Sequence, residues 1–252
     1  MLNEERRNKI AEILSQHQRI LVSEISGLLA TSPVTIRKDL DVMEKRGLLR
    51  RVHGGAMMTN PSVVDLDLTE KERIHAKEKE RIAQAAEKLI CEGDVIILDS
   101  GSTTMAIARL LKTRKGLTLI TNAVNIAWEL AASENEVIII GGMVRKKSYS
   151  LIGPISEDAI MRLTANKLFL GVDGIDLEYG FTTPNLQEAN INRLMLRVAT
   201  EIIVTADSSK FGRKSMGVIA DLSAAHKIIT DKNIKENDLQ RLRSMGIEVI
   251  LT

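Results

Sequence analysis

The residues that most suggest chemistry lie at positions 99–104, where the sequence reads Asp-Ser-Gly-Ser-Thr-Thr. Apolar residues 95–98 precede them and indicate a buried strand, and Ile107, Leu110 and Leu111 follow with helical spacing. A helix that begins on Gly, Ser and Thr presents unpaired backbone N–H groups at its positive end, where an anion binds favourably. We predict a phosphate-binding turn here, although a strand–turn–helix corner that binds nothing fits this stretch alone equally well.

The chain from residue 94 onward alternates short apolar runs with helical stretches, which is typical of an α/β fold with a parallel, helix-covered sheet. The predicted strands are residues 95–98, 117–121, 137–140, 168–172, 202–206, 227–230 and 248–251. Polar or glycine-rich residues end five of them, at positions 99–104, 121–122, 141–142, 173–176 and 207–210. Ligands bind beyond the carboxyl ends of such strands, so these residues predict a binding site.

The first sixty residues contain three helical patterns in quick succession. Their apolar positions are Ile10, Ile13 and Leu14, then Ile25, Leu28 and Leu29, then Ile36, Leu40 and Met43. Ser23 and Ser32-Pro33 provide helix starts, and Gly47 provides a helix end. This spacing favours a helix-turn-helix whose third helix enters the major groove, and residues 48–56 favour a β-hairpin wing. A three-helix packing module with a solvated basic face is the alternative.

The charge is unevenly distributed, although the net charge is only +2. Residues 1–60 hold 10 Lys and Arg against 7 Asp and Glu. Six of these basic residues fall within residues 37–51, and they are Arg37, Lys38, Lys45, Arg46, Arg50 and Arg51. A polyanion is therefore a plausible partner. Aromatic residues make up only 2% of the chain, which argues against base-stacking surfaces for single strands.

Composition excludes several other classes of protein. The single cysteine, Cys91, rules out an internal disulfide framework and fits a reducing cytoplasm. The four histidines show no metal-ligand spacing, so no metal is expected. No apolar run approaches a membrane span, and the first residues do not resemble a signal peptide. We interpret Cys91 and Trp128 as packing residues.

Two segments of the first sixty residues resemble a known family. Residues 32–40, Ser-Pro-Val-Thr-Ile-Arg-Lys-Asp-Leu, resemble the helix-turn-helix signature of the DeoR family, and residues 51–56, Arg-Val-His-Gly-Gly-Ala, resemble its wing. The resemblance implies that Ser32, Thr35, Arg37 and Lys38 lie at the DNA bases or phosphates, and that Arg50, Arg51 and His53 lie on the backbone or in the minor groove. It leaves Asp39 a structural role, because an acid deep in a DNA-binding face repels phosphate.

The second half of the chain is similar to the DeoR sensor domain, so the resemblance covers essentially the whole sequence. It is carried by residues 98–104, Gly141-Gly142 with Arg145, and residues 171–176, 180–183 and 207–213. That fold is shared with ribose-5-phosphate isomerases and glucosamine-6-phosphate deaminases. Within the family, the chain looks most like the repressors of N-acetylgalactosamine, galactitol and glucitol operons.

The resemblance also implies a set of effector-binding residues. They are Asp99, Ser100, Gly101, Ser102, Thr103, Thr104, Asn122, Gly142, Asp173, Gly174, Glu188 and Lys210. The backbone of residues 100–104 and Lys210 would hold the phosphate, and Asp173 and Asn122 would bind sugar hydroxyls. Glu188 would bind a hydroxyl or an amino group, and Asp99 would orient the loop. Lys210 could instead be a solvated cation in a mobile loop, and Glu188 an exposed acid in a first helical turn.

An enzyme is the alternative function, because the related isomerases carry a motif like residues 173–176. In those enzymes a further acid follows directly, whereas this chain has Leu177, and residues 178–183 replace a segment rich in lysine and glycine. Asp173, Asp176 and Glu188 could still supply a base, and Lys210 a cation. A site that keeps the sugar contacts without the proton shuttle is a sensor, so no catalytic residue is predicted.

These observations combine into one prediction. Residues 1–57 form a winged helix-turn-helix, residues 58–75 a linker, and residues 76–252 a sugar-phosphate sensor domain. The chain is predicted to be a cytoplasmic repressor of a sugar-catabolic operon that binds double-stranded operator DNA. It would need no cofactor, would respond to a phosphorylated sugar or hexitol, and would act as a homo-oligomer on repeated half-sites.

Overall fold

A computed structural model describes residues 3–17, 19–45, 48–58 and 65–252. The chain divides into two compact units, residues 1–64 and residues 65–252. The predicted helix end at Gly47 and most of the first half of the predicted linker lie outside the described residues. No helix in the described part of the chain combines the length and the apolar composition that a membrane span requires.

The first unit is a helix-turn-helix with a small antiparallel sheet. Its elements are α1 (Asn3–His17), β1 (Arg19–Leu21), α2 (Val22–Leu28), α3 (Pro33–Lys45), β2 (Leu49–Val52) and β3 (Gly55–Met58). The strand order is β1-β3-β2, so the predicted hairpin of β2 and β3 is joined by a third strand that the sequence did not predict. The helical periodicity identified the core correctly at Ile10, Leu14, Ile36 and Leu40, but Leu28 is 69% exposed.

Two adjacent glycines, one in the turn of the hairpin and one at the start of β3, each have their own steric reason. Gly54 has a φ of +77°, a left-handed conformation that disfavours other residues. A Cβ at Gly55 would lie 2.0 Å from the carbonyl oxygen of Ile20, so β3 can pair with β1 only because this side chain is absent.

The second unit has seven helices and twelve strands among the described residues. The helices are α4 (Leu68–Arg73), α5 (Ala76–Glu87), α6 (Ser102–Leu111), α7 (Val124–Leu130), α8 (Pro154–Ile160), α9 (Leu186–Val198) and α10 (Glu236–Ser244). The strands are β4 (Val95–Leu98), β5 (Thr118–Thr121), β6 (Glu136–Ile139), β7 (Met143–Arg145), β8 (Ser150–Ile152), β9 (Ala165–Gly171), β10 (Gly174–Asp176), β11 (Gly180–Thr183), β12 (Ala199–Thr205), β13 (Gly217–Ala220), β14 (Lys227–Thr230) and β15 (Glu248–Leu251).

Seven strands form a fully parallel sheet in the order β15-β14-β12-β9-β4-β5-β6. All seven predicted strands are present in it, with ends that shift by up to three residues. Apolar side chains alternate between the two faces, so that Ile97 and Leu168 pack under α8, α9 and α10, while Ile96 and Phe169 pack under α5, α6 and α7. The predicted helix-covered parallel α/β sheet is therefore confirmed.

The strand order reverses between β4 and β9. From β4 the chain builds outward through β5 and β6, and it then returns to the other side of β4 to add β9, β12, β14 and β15. At such a reversal the connections leave the sheet in opposite directions, which opens a crevice at the carboxyl ends of the two strands. The fold thus places a binding crevice directly after β4.

Part of the predicted linker is structured. Residues 65–75 belong to the second unit, and they include helix α4. Leu68 is buried, and its N–H donates to the carbonyl oxygen of Lys147 at 2.8 Å. The weak periodicity of this segment hid a six-residue helix that is too short to show an amphipathic pattern.

Candidate functional site

A pocket opens at the carboxyl ends of β4, β9 and β12. Its walls come from these three strand ends, the start of α6, one face of α9, and the segment around α4. The lining residues are Leu66, Leu68, Lys71, Asp99, Ser100, Gly101, Ser102, Thr103, Lys147, Ser148, Gly171, Val172, Asp173, Thr183, Glu188, Asn192, Thr205, Ala206 and Lys210. The pocket lies at the strand-order reversal, as the fold predicts.

The first turn of α6 forms a cradle suited to an anion. Buried Thr104 caps the helix: its Oγ1 accepts from the N–H of Gly101 at 2.8 Å and lies 2.5 Å from the carbonyl oxygen of Asp99, to which it donates. Ser102 and Thr103 line the pocket. Their backbone N–H groups lie in the first turn of the helix, so they have no carbonyl acceptor within the helix. These amides and the helix dipole favour a bound negative charge.

Two lysines face the carboxylate of Asp173 across the pocket. Lys71 Nζ lies 2.6 Å from Asp173 Oδ1, and Lys210 Nζ lies 4.0 Å from the same oxygen. Thr183 Oγ1 donates to Asp173 Oδ2 at 3.0 Å. Burial opposes ionisation of this carboxyl, but the two lysines and the threonine outweigh it and hold the pKa of Asp173 at about 2. Asp173 is therefore an ionised acceptor between two cations.

The two lysines respond differently to the same environment. For Lys71, burial lowers the pKa, yet Asp173, Glu188 and Asp65 together raise it above its ordinary value. For Lys210, burial lowers the pKa, and the cations Lys71 and Arg213 lower it further, so that Asp173 and Asp207 do not compensate.

A polar cluster around Glu188 forms another wall of the pocket. Asn185 caps α9 and accepts from the N–H of Glu188 at 3.0 Å, which places the acid in the first turn facing inward. Glu188 Oε1 accepts from Ser150 Oγ at 2.9 Å and from Arg145 Nη1 at 3.5 Å. Arg145 also pairs with Asp65. Glu188 is only 7% exposed, so it is not a solvated acid at a helix start.

Asp99 is buried beside the cradle and close to the charge of Glu188. Its Oδ2 accepts from the N–H of Gly171 at 3.2 Å, and the Asn192 amide, with its nitrogen facing the acid, donates to Oδ1 at 3.2 Å. Burial raises the pKa of Asp99 to about 7, and Glu188 adds to this effect, although hydrogen bonds from Ser100 and Gly171 oppose it.

This shift predicts a pH-dependent stability. Folded Asp99 keeps its proton up to about pH 7, whereas the unfolded residue loses it near pH 3.8, so stability falls as the pH rises through this interval. We expect Asp99→Asn to remove a slope of at most about 1.4 kcal/mol per pH unit. Urea unfolding of both proteins at pH 5 and pH 6.5 measures the difference. If the free energy of unfolding differs between Asp99→Asn and the parent by the same amount at both pH values, the raised pKa of Asp99 is contradicted.

The structure brings most of the predicted effector residues to one pocket. Eight of the twelve line it, and they are Asp99, Ser100, Gly101, Ser102, Thr103, Asp173, Glu188 and Lys210. Thr104 lies behind the cradle as its cap. Lys210 is held in a short 3-10 turn after Asp207, with a side chain that is 20% exposed, which does not fit a freely solvated cation.

Three predicted effector residues do not line the pocket. Asn122 is fully buried under β8, where its amide donates to the carbonyl oxygen of Leu151 at 3.4 Å. A Cβ at Gly142 would lie 1.9 Å from Ser156 Oγ, and a Cβ at Gly174 would lie 2.4 Å from the carbonyl oxygen of Arg213. These positions serve close packing of the backbone. Their placement therefore does not support the predicted contact with the effector.

Lys71 and Asn192 are among the pocket residues that were missed from the sequence, and two packing assignments were wrong. Lys71 was hidden in the segment interpreted as linker. Asn192 lies one helical turn after Glu188, and this i, i+4 spacing was the signal that could have found it. Trp128 is 83% exposed and Cys91 is also exposed, so neither packs in the core.

The first unit carries the candidate nucleic-acid interface on α3 and the wing. Ser32 starts α3, with its Oγ accepting from the N–H of Thr35 at 3.2 Å. The side chains of Arg37, Lys38, Arg50 and His53 are exposed, so they are available to a polyanion. Arg51 instead ties the wing to α3: it donates to the carbonyl oxygen of Arg37 at 3.2 Å and pairs with Asp41.

Asp39 points into the core of the first unit rather than toward a DNA-binding surface. It is 2% exposed, and its two carboxylate oxygens lie 2.5 Å from Arg6 Nε and 2.9 Å from Arg7 Nε. The structural role predicted for Asp39 is confirmed, since this acid fastens α3 to α1.

Comparison with known proteins agrees with both units. The DeoR-like helix-turn-helix domain matches residues 6–62, and the DeoR C-terminal sensor domain matches residues 74–232. A putative aga operon transcriptional repressor of Escherichia coli O157:H7 is 41% identical, and the match covers 98% of this chain and 93% of that protein. The transcriptional regulator GlpR of Haloferax volcanii is 35% identical, with 99% of this chain and 98% of that protein covered.

Solved structures give a weaker likeness. A ribose-5-phosphate isomerase in complex with phospho-erythronic acid matches with a TM-score of 0.41 and 16% identity, over 54% of each chain. The sequence matches cover both units and nearly the full length, and the two relatives named above are a transcriptional repressor and a transcriptional regulator. The chain belongs to the DeoR family of DNA-binding transcriptional regulators.

Proposed function

We propose that this regulator represses a sugar-catabolic operon in the cytoplasm and that a phosphorylated sugar in the pocket controls its affinity for operator DNA. One observation carries the proposal: the free amides of the α6 cradle, two lysines and the inward-facing acids Asp173 and Glu188 share one pocket. The cations and amides suit a phosphate, and the acids suit hydroxyl or amino groups. A phosphorylated amino sugar or hexitol carries both kinds of group.

The proposed ligand places its phosphate on the first turn of α6, near Lys210. Asp173 accepts from a hydroxyl group, and Glu188 accepts from a hydroxyl or an amino group. The relative from Escherichia coli is named for the aga operon, which supports a sugar-catabolic target. Ligand binding alters operator affinity only if the ligand prefers one of two arrangements of the protein.

A thermal-shift screen tests the ligand class directly. The panel contains hexose, hexosamine and hexitol 6-phosphates, their unphosphorylated counterparts and inorganic phosphate. We expect at least one phosphorylated compound to raise the melting temperature well beyond its unphosphorylated counterpart, because only the phosphate reaches the cradle. Equal shifts from both members of every pair would contradict a phosphorylated effector.

We also propose that the protein is a homo-oligomer, because one winged helix offers little contact area and repeated half-sites need repeated domains. Light scattering after size-exclusion chromatography tests this proposal. A purely monomeric protein at micromolar concentration would count against it.

Helix α3, the proposed recognition helix that enters the major groove, yields a further prediction. Arg37→Ala is expected to weaken specific operator binding by about 1–3 kcal/mol, roughly 5- to 150-fold, because arginine contacts to bases or phosphates are lost. Fluorescence anisotropy over a salt series measures both the affinity and its salt slope. Arg241→Ala, at an exposed position of α10, is the matched control. Unchanged operator affinity in a folded Arg37→Ala protein would refute the assignment of α3.

A further inference from the structure

The segment formed by residues 65–73, which we term the strap, carries a pocket residue that no comparison assigns. It lies between the two matched regions, residues 6–62 and residues 74–232. Nevertheless its residues Leu66, Leu68 and Lys71 line the pocket. In the chain, the strap is the first segment of the sensor unit and directly follows the last residue of the DNA-binding unit.

Polar contacts hold the strap against the sensor unit at several points. Asp65 pairs with Arg145, and its carbonyl oxygen accepts from Lys147 Nζ at 2.9 Å. At the other end, Lys71 pairs with Asp173. Leu68 is the strap's buried apolar anchor.

The far end of the strap is fixed by a second lysine. Lys79 on α5 is 5% exposed, and its ammonium donates to the carbonyl oxygens of Lys71 and of Ile74, the residue that follows α4. Glu72 lies 3.5 Å from Arg109 on α6, so α4 also contacts the helix whose first turn forms the cradle. The pair of Lys71 with Asp173 is therefore one of several contacts that hold the strap to the sensor unit, and it is the one that lies in the pocket.

The charges at the pocket end of the strap are arranged so that an incoming anion competes for Lys71. Asp173 Oδ1 lies 2.6 Å from Lys71 Nζ and 4.0 Å from Lys210 Nζ, so one carboxylate oxygen serves two cations. All three side chains are about 20% exposed and face the same pocket. A phosphate in this pocket carries more charge than the carboxylate, and lysine is a compact, mobile partner for it.

We propose that Lys71 is a ligand-binding residue that exchanges Asp173 for the anionic group of the bound ligand, and that the strap transmits this exchange toward the DNA-binding unit. The inference rests on the proposed function and deepens it. The exchange also frees Asp173 to accept from a hydroxyl group of the same ligand. Occupancy of the pocket is then transmitted through the strap, a wall of the pocket that directly follows the DNA-binding unit in the chain.

The test uses the full chain, the 6-phosphate panel and inorganic phosphate. Lys71→Gln is expected to lower the affinity for these probes by about 10- to 100-fold, the usual result of losing one charge-assisted hydrogen bond. Lys71→Arg, which keeps the charge, is expected to recover most of the affinity. Lys112 directly follows α6 and pairs at the surface with Glu129 on α7, so Lys112→Gln is the matched control and should bind like the parent protein.

A second variant separates partner exchange from a merely structural ion pair. Asp173→Asn removes the competing carboxylate, so inorganic phosphate should bind more tightly than it binds the parent protein. Weaker binding of inorganic phosphate by a folded Asp173→Asn protein would overturn the exchange. Circular dichroism and unliganded operator binding establish that each variant is folded.

Operator binding at saturating probe tests the transmission. The sugar phosphate that binds the parent best is expected to shift its operator affinity, and this shift should be lost in Lys71→Gln even at saturation. Two results for Lys71→Gln would overturn the inference while leaving the proposed function intact. One is an affinity for the probes within twofold of the parent, and the other is a full shift of operator affinity at saturating probe. A parent protein that binds no member of the panel would contradict the proposed function and this inference together.

Discussion

Asp39→Ala is expected to destabilise the DNA-binding unit by about 3–5 kcal/mol, because removing one partner of a buried ion pair leaves the other charge uncompensated. The carboxylate of Asp39 is 2% exposed and contacts both Arg6 and Arg7. A loss of this size approaches the whole stability of a unit of about 60 residues, since small domains are marginally stable. The unit should then be largely unfolded at 37 °C.

Scanning calorimetry and hydrogen exchange of α1 and α3 measure this effect. Asp41→Ala is the matched control, because Asp41 is a 58% exposed acid on the same helix, paired with Arg51. Exposed pairs contribute little, so the control should lose less than about 1 kcal/mol. Sugar-phosphate binding by the sensor unit should survive in both variants. A stable DNA-binding unit in Asp39→Ala would show that the ion pairs do not fasten α3 to α1.

Gly101→Glu is expected to weaken sugar-phosphate binding by about 100-fold or more, roughly 3 kcal/mol. Gly101 lines the pocket immediately before the free amides of Ser102 and Thr103. A Cβ at this position would lie 3.2 Å from Oγ1 of Thr104, the cap of the cradle, and 3.6 Å from the Cα of Gly171, which also lines the pocket. A glutamate here is therefore expected to crowd the cap and to place a negative charge beside the cradle, where it repels phosphate.

Isothermal titration with the best phosphorylated compound of the panel measures the loss. Gly101→Gln has the same size without the charge, so it should lose less affinity than Gly101→Glu. Equal losses in the two variants would assign the effect to steric obstruction alone. Affinity equal to that of the parent in Gly101→Glu would place the phosphate elsewhere.

The sheet and the helix-turn-helix could be predicted from the sequence because their signals are local. Runs such as residues 95–98 are long enough to identify a buried strand, and the helix start at Ser32-Pro33 has a strong stereochemical signature. Binding at the carboxyl strand ends followed from the parallel topology. Seven of the eight predicted effector residues that line the pocket lie at such strand ends, and the eighth, Glu188, lies on α9.

The rest could not be predicted because it depends on long-range packing. Asn122 follows a central strand in the same way as Asp99, but the β7–β8 hairpin covers it, and this hairpin has strands of three residues with no clear pattern. Lys71 reaches Asp173 across about one hundred residues of sequence, so no spacing rule connects them. The exposure of Leu28 has the same cause. Helical periodicity identifies the apolar face of a helix, but it does not show which residues on that face are covered by other elements.

Control of operator binding by a phosphorylated sugar is tested most directly by measuring the operator affinity of the parent protein and of Gly101→Glu, with and without a saturating phosphorylated sugar. The sugar is expected to change the operator Kd of the parent by at least about tenfold, a coupling free energy of about 1.4 kcal/mol. Gly101→Glu is expected to bind the operator like the unliganded parent and not to respond to the sugar. An operator Kd that no phosphorylated sugar changes, or a response that persists in Gly101→Glu, would contradict an effector site in this pocket.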